Sequence, residues 1–91
     1  MEWKSVKDEI TAIDNSEKKV SKFITELVGI LTMRRIELGI TQSELAELSG
    51  IKQSAIARLE ALRAVPKLDT IYKLLDPLDL TFNLVPLEEK K

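Results

Sequence analysis

The pattern that decides the fold lies in residues 41–60, TQSELAELSGIKQSAIARLE. Thr41 is a residue type that caps the start of a helix, and the apolar spacing after it predicts a helix through Leu48. Gly50 accepts the left-handed backbone that a tight turn between helices needs, so a turn is predicted at residues 49–51. A second helix is predicted to run from residue 52 or 53 to residue 61 or 62.

Two short helices that cross at a tight turn need particular residue types at fixed offsets. The first helix needs a small residue where the second one crosses it, and Ala46 occupies that place. The second helix needs branched or long apolar residues on its inner side. The predicted small core of the motif consists of Leu45, Ala46, Ile51, Ala55, Ile56 and Leu59. Because these offsets are satisfied together, the segment is interpreted as a helix-turn-helix.

The outer side of the second helix is predicted to read DNA bases through Gln53, Ser54, Ala57 and Arg58. Glutamine pairs with adenine in the major groove, arginine with guanine, and serine with several groups. Ala57 is small enough to allow close approach of the helix. Lys52 and Gln42 precede or begin helices, where side chains and free backbone N–H groups meet phosphates. The alternative interpretation is a helical hairpin whose polar side is only solvated.

The flanking sequence predicts three further helices and one strand. A short helix is expected over residues 3–13, and a long one from Ser16 to about residue 38, where Gly39 ends it. A helix over residues 68–75 precedes Pro77. The alternation in residues 80–86 predicts the one strand of the chain. A lone strand leaves backbone groups unpaired, so pairing with a second copy is expected; the alternative is a tail lying over its own core.

The composition limits the chemistry. The 91 residues suit one domain, and 14 Lys and Arg against 15 Asp and Glu leave a net charge of −1, which by itself neither favours nor excludes nucleic acid. With no cysteine and no histidine, disulfides, zinc sites of the usual ligands and Cys- or His-based catalysis are excluded. No glycine-rich phosphate loop occurs, so we expect no enzyme activity, cofactor or metal. The beginning of the chain lacks a signal-peptide core, and we expect a cytoplasmic protein.

The run Thr41–Ala46, followed by Gly50–Ser54, resembles the Xre family, the helix-turn-helix type of phage Cro and repressor proteins. The resemblance covers about residues 33–80. It implies an all-α, five-helix, lambda-repressor-like domain, here with the C-terminal strand added. By the same resemblance Gln42 contacts phosphate, Gln53 and Ser54 read bases, and the pair Arg35 and Glu60 forms a partly buried bridge. The family usually has glycine where this chain has Leu62, so Arg63 and Lys67 are carried over as phosphate contacts in a loop of altered shape.

The ends of the chain resemble those of the antitoxins of toxin–antitoxin pairs, most closely the HigA type and less closely the HipB type. The resemblance implies a cognate toxin partner and repression of the protein's own operon. The homodimer expected from pairing of the strand would place two reading helices one DNA turn apart on a palindromic operator. The N-terminal helix would contact the toxin through Trp3, Val6 and Ile10; the alternative is packing on the long helix. The expected division is an extension (residues 1–16), the DNA-binding domain (17–79) and a strand with tail (80–91).

Two alternatives to an antitoxin follow from the same sequence. A phage- or plasmid-type repressor without a toxin partner shares all of the DNA chemistry. A protein-interaction adaptor would use Gln53 and Arg58 against a partner and would not read DNA. Salt dependence separates these classes, because phosphate contacts release counterions and an adaptor makes none.

Overall fold

The computed structural model describes residues 13–87. In this part the chain forms four helices: α1 (Ile13–Glu37), α2 (Gln42–Ser49), α3 (Gln53–Glu60) and α4 (Leu68–Leu75). Within the same residues there is no strand. None of the described helices is long and apolar enough to cross a membrane.

The predicted fold of five helices and a C-terminal strand is wrong for the part of the chain that the structure describes. Residues 80–86 adopt no regular secondary structure, although their apolar and polar residues alternate. A strand needs a neighbour to take up its backbone hydrogen bonds, and no segment between residues 13 and 87 provides one. The predicted N-terminal helix lies outside the described residues, except for Ile13, which begins α1.

The start of α1 also differs from the prediction. The long helix was expected to begin at Ser16, after a short helix ending at residue 13, but residues 14–16 lie inside α1. Asp, Asn and Ser each cost only about 0.7 kcal/mol or less in a helix interior, so three of them do not stop a helix whose apolar stripe continues. The tendency of these three residues to interrupt a helix is therefore weaker than the helical spacing of the apolar residues around them.

The end of α1 follows the prediction. Gly39 has φ +73°, and its N–H donates to the Ile36 carbonyl at 3.0 Å. The Ile40 N–H donates to the Arg35 carbonyl at 3.1 Å. This pair of bonds satisfies the last free carbonyls of the helix and turns the chain towards α2, and it requires the left-handed backbone that glycine adopts without strain.

One core holds the four helices together. Its members are each at most 5% exposed and come from every helix and from the turn after α4: Val28, Leu31, Leu45, Ile56, Leu59, Ile71, Leu74 and Leu78. Ala46 and Ile51 pack against it partly buried. The predicted inner positions Leu45, Ala46, Ile51, Ile56 and Leu59 are thus confirmed. Burial of this cluster fixes α2 and α3 against the second half of α1.

The turn after α4 is tied to α1 by a side chain. Arg34 Nε donates to the Leu78 carbonyl at 2.9 Å. The same guanidinium lies 3.6 Å from carboxylate oxygens of Glu37 and Asp79. Leu78 is fully buried, so this hydrogen bond satisfies a carbonyl at the edge of the core.

Candidate nucleic-acid interface

The helix-turn-helix is set by local hydrogen bonds at both ends of α2. The Glu44 N–H donates to Thr41 Oγ1 at 3.0 Å, and the Thr41 N–H donates to a Glu44 carboxylate oxygen at 2.8 Å. This reciprocal capping satisfies two donors at the helix start. At the other end Gly50 has φ +79°, and its N–H donates to the Ala46 carbonyl at 2.9 Å. The predicted cap and left-handed turn residue are confirmed.

Helix α3 has a buried side and an exposed side. Ile56 and Leu59 lie in the core, whereas Gln53, Ser54 and Arg58 are exposed. Ser54 and Arg58 are one helical turn apart and share one face, with Gln53 at the start of the helix. The polar groups predicted to read bases are therefore presented together to solvent, on the side of α3 away from the core.

The two alanines of α3 are placed differently from the prediction. Ala55 was expected to pack inside but is exposed, and Ala57 was expected to point outward but is partly buried. The partly buried Glu60 explains the difference, because residues three apart lie on the same side of a helix and Ala57 turns inward with it. The exposed face of α3 is thus formed by Gln53, Ser54, Ala55 and Arg58.

A polar network fixes the end of α3 to α1 and α2. Arg35 Nε donates to Glu60 Oε2 at 2.7 Å, and Arg35 Nη2 donates to Glu60 Oε1 at 2.9 Å. Arg35 Nη1 donates to the Ile40 carbonyl at 2.7 Å, and Gln42 Nε2 donates to Glu60 Oε1 at 2.9 Å. The two charged side chains are only 14% and 12% exposed. A bidentate arginine–carboxylate pair is geometrically specific, so it sets both the position and the rotation of α3.

The network changes the acidity of its members. Burial raises the pKa of the Glu60 carboxyl, but the hydrogen bonds from Arg35 and Gln42 and the positive charge of Arg35 outweigh this, and the pKa lies below its usual value. The hydrogen bond to Glu60 raises the pKa of Arg35 above its usual value, against the opposing effect of burial. Both side chains are therefore charged under ordinary conditions, and the bridge is intact.

The predicted phosphate contacts occupy four places around α2 and α3. Lys52 directly precedes α3 without capping it through its side chain, and Lys67 directly precedes α4; both are exposed. Arg63 is exposed in the loop after α3. Gln42 begins α2 but is partly buried, and one of its amide N–H groups is committed to Glu60. Its side-chain carbonyl and second N–H are not used by that bond.

The loop after α3 has a strained residue where glycine was expected. Leu62 has φ +60°, a left-handed conformation that costs a leucine about 1–2 kcal/mol. Its N–H donates to the Leu59 carbonyl at 2.9 Å, and the Arg63 N–H donates to the Arg58 carbonyl at 2.8 Å. The backbone of this loop therefore keeps the left-handed turn at the position where Leu62 replaces glycine.

Some features of the site could not be placed or were not foreseen. The predicted toxin-contacting residues Trp3, Val6 and Ile10 lie outside the described residues. The bond from Gln42 to Glu60 was not foreseen, because it requires knowing that residues 18 apart in sequence meet. Between residues 13 and 87 no group of acidic side chains is arranged to hold a metal ion.

Comparison with known proteins defines the family. A family model described as Helix-turn-helix matches residues 31–85, which include α2, α3, α4 and the end of α1. The chain belongs to this helix-turn-helix family. Its members are DNA-binding regulators of transcription and not enzymes, which agrees with the exposed polar face of α3.

Two kinds of relative are similar to this helix-turn-helix chain. An HTH-type transcriptional regulator of Haemophilus influenzae, itself uncharacterized, is 39% identical over 88 residues, covering 97% of this chain and 88% of the relative. Antitoxin HipB of Escherichia coli K12 is 38% identical over 60 residues, covering 66% of this chain and 68% of HipB. HipB of a second Escherichia coli strain, CFT073, matches at the same identity over 64% of its length. No solved structure matches this chain significantly.

Proposed function

We propose that this protein is an antitoxin that binds and neutralises a toxin and represses its own operon by sequence-specific DNA binding. The observation that carries the DNA half is the exposed face of α3, whose Gln53, Ser54 and Arg58 are held outward while Glu60 is bonded to Arg35. A reading helix must be held in one orientation, because base contacts demand a particular angle in the major groove.

The proposed contacts with DNA divide into two classes. Gln53, Ser54 and Arg58 face bases, and Gln42, Lys52, Arg63 and Lys67 face phosphates; the partly buried Ala57, predicted from the sequence as a base-reading position, would only leave room for close approach of the helix. A homodimer would place two such helices about 34 Å apart, one turn of B-DNA, and would select a palindromic operator. The base contacts would give specificity, and the phosphate contacts would give most of the salt-sensitive affinity.

The toxin half of the proposal rests on similarity. HipB, which is named an antitoxin, shares 38% identity with 66% of this chain. The resemblance to HigA-type antitoxins adds a prediction for Trp3, Val6 and Ile10 as toxin contacts, in an extension of residues 1–16 ahead of the DNA-binding domain. Tryptophan is among the residues that most often anchor protein interfaces, so Trp3 suits the centre of such a contact.

A repressor without a toxin partner is the second candidate. The relative that matches 97% of this chain is named a transcriptional regulator and not an antitoxin. Co-expression separates the two candidates: the neighbouring gene should be toxic alone and harmless with this protein. A harmless neighbour whose product does not associate with this chain would leave the repressor.

The DNA half is tested by titrating the protein against the DNA upstream of its own gene at several salt concentrations. We expect tight binding whose logarithm falls linearly with the logarithm of salt, with a slope of about −0.9 for each phosphate contact. Binding no tighter than to scrambled DNA at every salt concentration would contradict the proposal and favour a protein-interaction adaptor.

A further inference from the structure

The outer side of α1 carries apolar residues that the core does not use. Phe23, Ile30 and Met33 are 59%, 59% and 55% exposed. They belong to a line of residues whose spacing alternates between four and three, which is the spacing of one side of a coiled coil. We call this line the outer seam: Lys19, Phe23, Glu26, Ile30, Met33 and Glu37.

A shallow groove runs beside the outer seam. Residues of α1, among them Gly29, Ile30 and Met33, line one wall, and Asp79 and Leu80 line the other. The hydrogen bond from Arg34 to the Leu78 carbonyl holds the second wall in place. An exposed apolar groove with a fixed wall suits a packed helix better than it suits solvent.

Gly29 is unexplained by the packing of this chain alone. Glycine destabilises a helix interior relative to alanine, and a Cβ built at Gly29 would meet nothing within 4 Å. No neighbour between residues 13 and 87 therefore requires a glycine there. A second helix lying close to α1 would require it, because the missing side chain lets two backbones approach.

We infer that the outer seam is the surface on which a second copy of this chain docks, with the two α1 helices antiparallel. One register places every member of the seam opposite another member: Lys19 faces Glu37, Phe23 faces Met33, and Glu26 faces Ile30 of the second copy. Opposite charges then meet at both ends, Phe23 and Met33 meet inside them, and at the centre each Glu26 lies beside Ile30 of the other copy. The midpoint of these pairs is residue 28, so the two-fold axis passes at the level of the residue next to Gly29.

Charge decides the direction of pairing. In a parallel arrangement each residue would face its own counterpart, so Lys19 would meet Lys19 and Glu37 would meet Glu37. Like charges directly opposite are destabilising, whereas the antiparallel arrangement pairs them with opposite charges. This inference rests on the proposed homodimer and adds to it the surface that joins the two copies.

Disulfide trapping tests the register directly, because the chain has no cysteine of its own. The full-length double variant Lys19→Cys/Glu37→Cys should form a covalent dimer on mild oxidation. Each single variant should not, because in the antiparallel register identical positions are separated by about 27 Å along the helix axis. The same distance within one chain prevents an internal bridge.

A matched pair of substitutions tests the surface. Met33→Lys should weaken self-association measured by sedimentation roughly tenfold or more, as loss of a central apolar anchor does. Leu48→Lys is the control, because Leu48 is 62% exposed but belongs to α2 and not to α1. Equal effects of the two substitutions would overturn the inference, as would cross-linking of the single cysteine variants.

The outcomes separate this inference from the proposed function. If the protein forms dimers but the double cysteine variant does not cross-link, the inferred surface is wrong and the proposed homodimer still stands. Monomers at all concentrations, alone and on DNA, would overturn both. Covalent dimers from the double variant alone, together with a loss of association in Met33→Lys and not in Leu48→Lys, would establish the surface.

Discussion

The inner side of α1 is buried and hydrogen-bonded to the rest of the protein, whereas its outer side keeps large apolar side chains exposed. On the inner side Val28 and Leu31 are buried, and Arg35 makes three hydrogen bonds that reach Glu60 and the turn before α2. On the outer side Phe23, Ile30 and Met33 remain more than half exposed. Helix α1 therefore orients α3, the proposed DNA-reading helix, with one side and, by our inference, leaves the other side for a second copy. Substitutions on the two sides should separate stability from association.

The largest effect is expected on the inner side, from Arg35→Ala. Removing the arginine leaves the largely buried Glu60 carboxylate without its partner, which costs about 3–5 kcal/mol of unfolding free energy. Urea or thermal unfolding measures this loss. Arg58→Ala is the control, because Arg58 is exposed and its loss should change stability by about 0.5 kcal/mol or less. A cost below about 1 kcal/mol for Arg35→Ala would contradict the anchoring role of the bridge.

A pH dependence should follow from the same bridge. The pKa of Glu60 is lower in the folded chain than its ordinary value of 4.5, so ionised Glu60 stabilises the folded state. This stabilisation is complete above about pH 4.5 and is lost as the pH falls through the lower, folded-state pKa. Unfolding of the protein and of Glu60→Gln from pH 7 to pH 2 checks this. The stability difference between them should shrink as the pH falls, and a constant difference would contradict the prediction.

The smallest effect is expected on the outer side, with the opposite sign. Gly29→Ala should raise the unfolding free energy of the monomer by about 1 kcal/mol, because alanine is the better helix former and its Cβ meets nothing in the chain. Gly39→Ala is the matched control and should destabilise, since Gly39 has φ +73°. Unfolding at concentrations below the onset of association measures both. A destabilising Gly29→Ala would mean that the glycine is needed within one chain.

Local signals predicted the helix-turn-helix well. Thr41, Gly39 and Gly50 act through hydrogen bonds to residues three to five positions away, so their roles are visible in a short stretch of sequence. The spacing of Leu45, Ile56 and Leu59 was equally informative, because burial on one side of a helix imposes a period. Each of these signals lies within a short stretch of sequence.

Features that depend on distant residues were predicted less well. The rotation of α3, which exposes Ala55 and partly buries Ala57, follows from the bond between Glu60 and Arg35, 25 residues apart. The resemblance implied that bridge, but its consequence for the alanines was not drawn. The expected strand at residues 80–86 failed because alternation specifies a strand only when a neighbouring strand is available.

The most direct test of the account is a titration of operator DNA with Gln53→Ala and Lys52→Ala in parallel. The account predicts that Gln53→Ala costs about 1–3 kcal/mol per reading helix on the DNA upstream of the gene and almost nothing on a scrambled duplex. Lys52→Ala should weaken binding to both duplexes alike, because it removes a phosphate contact. If Gln53→Ala binds upstream DNA as tightly as the unaltered protein, α3 does not read bases through this face, and the central claim is wrong.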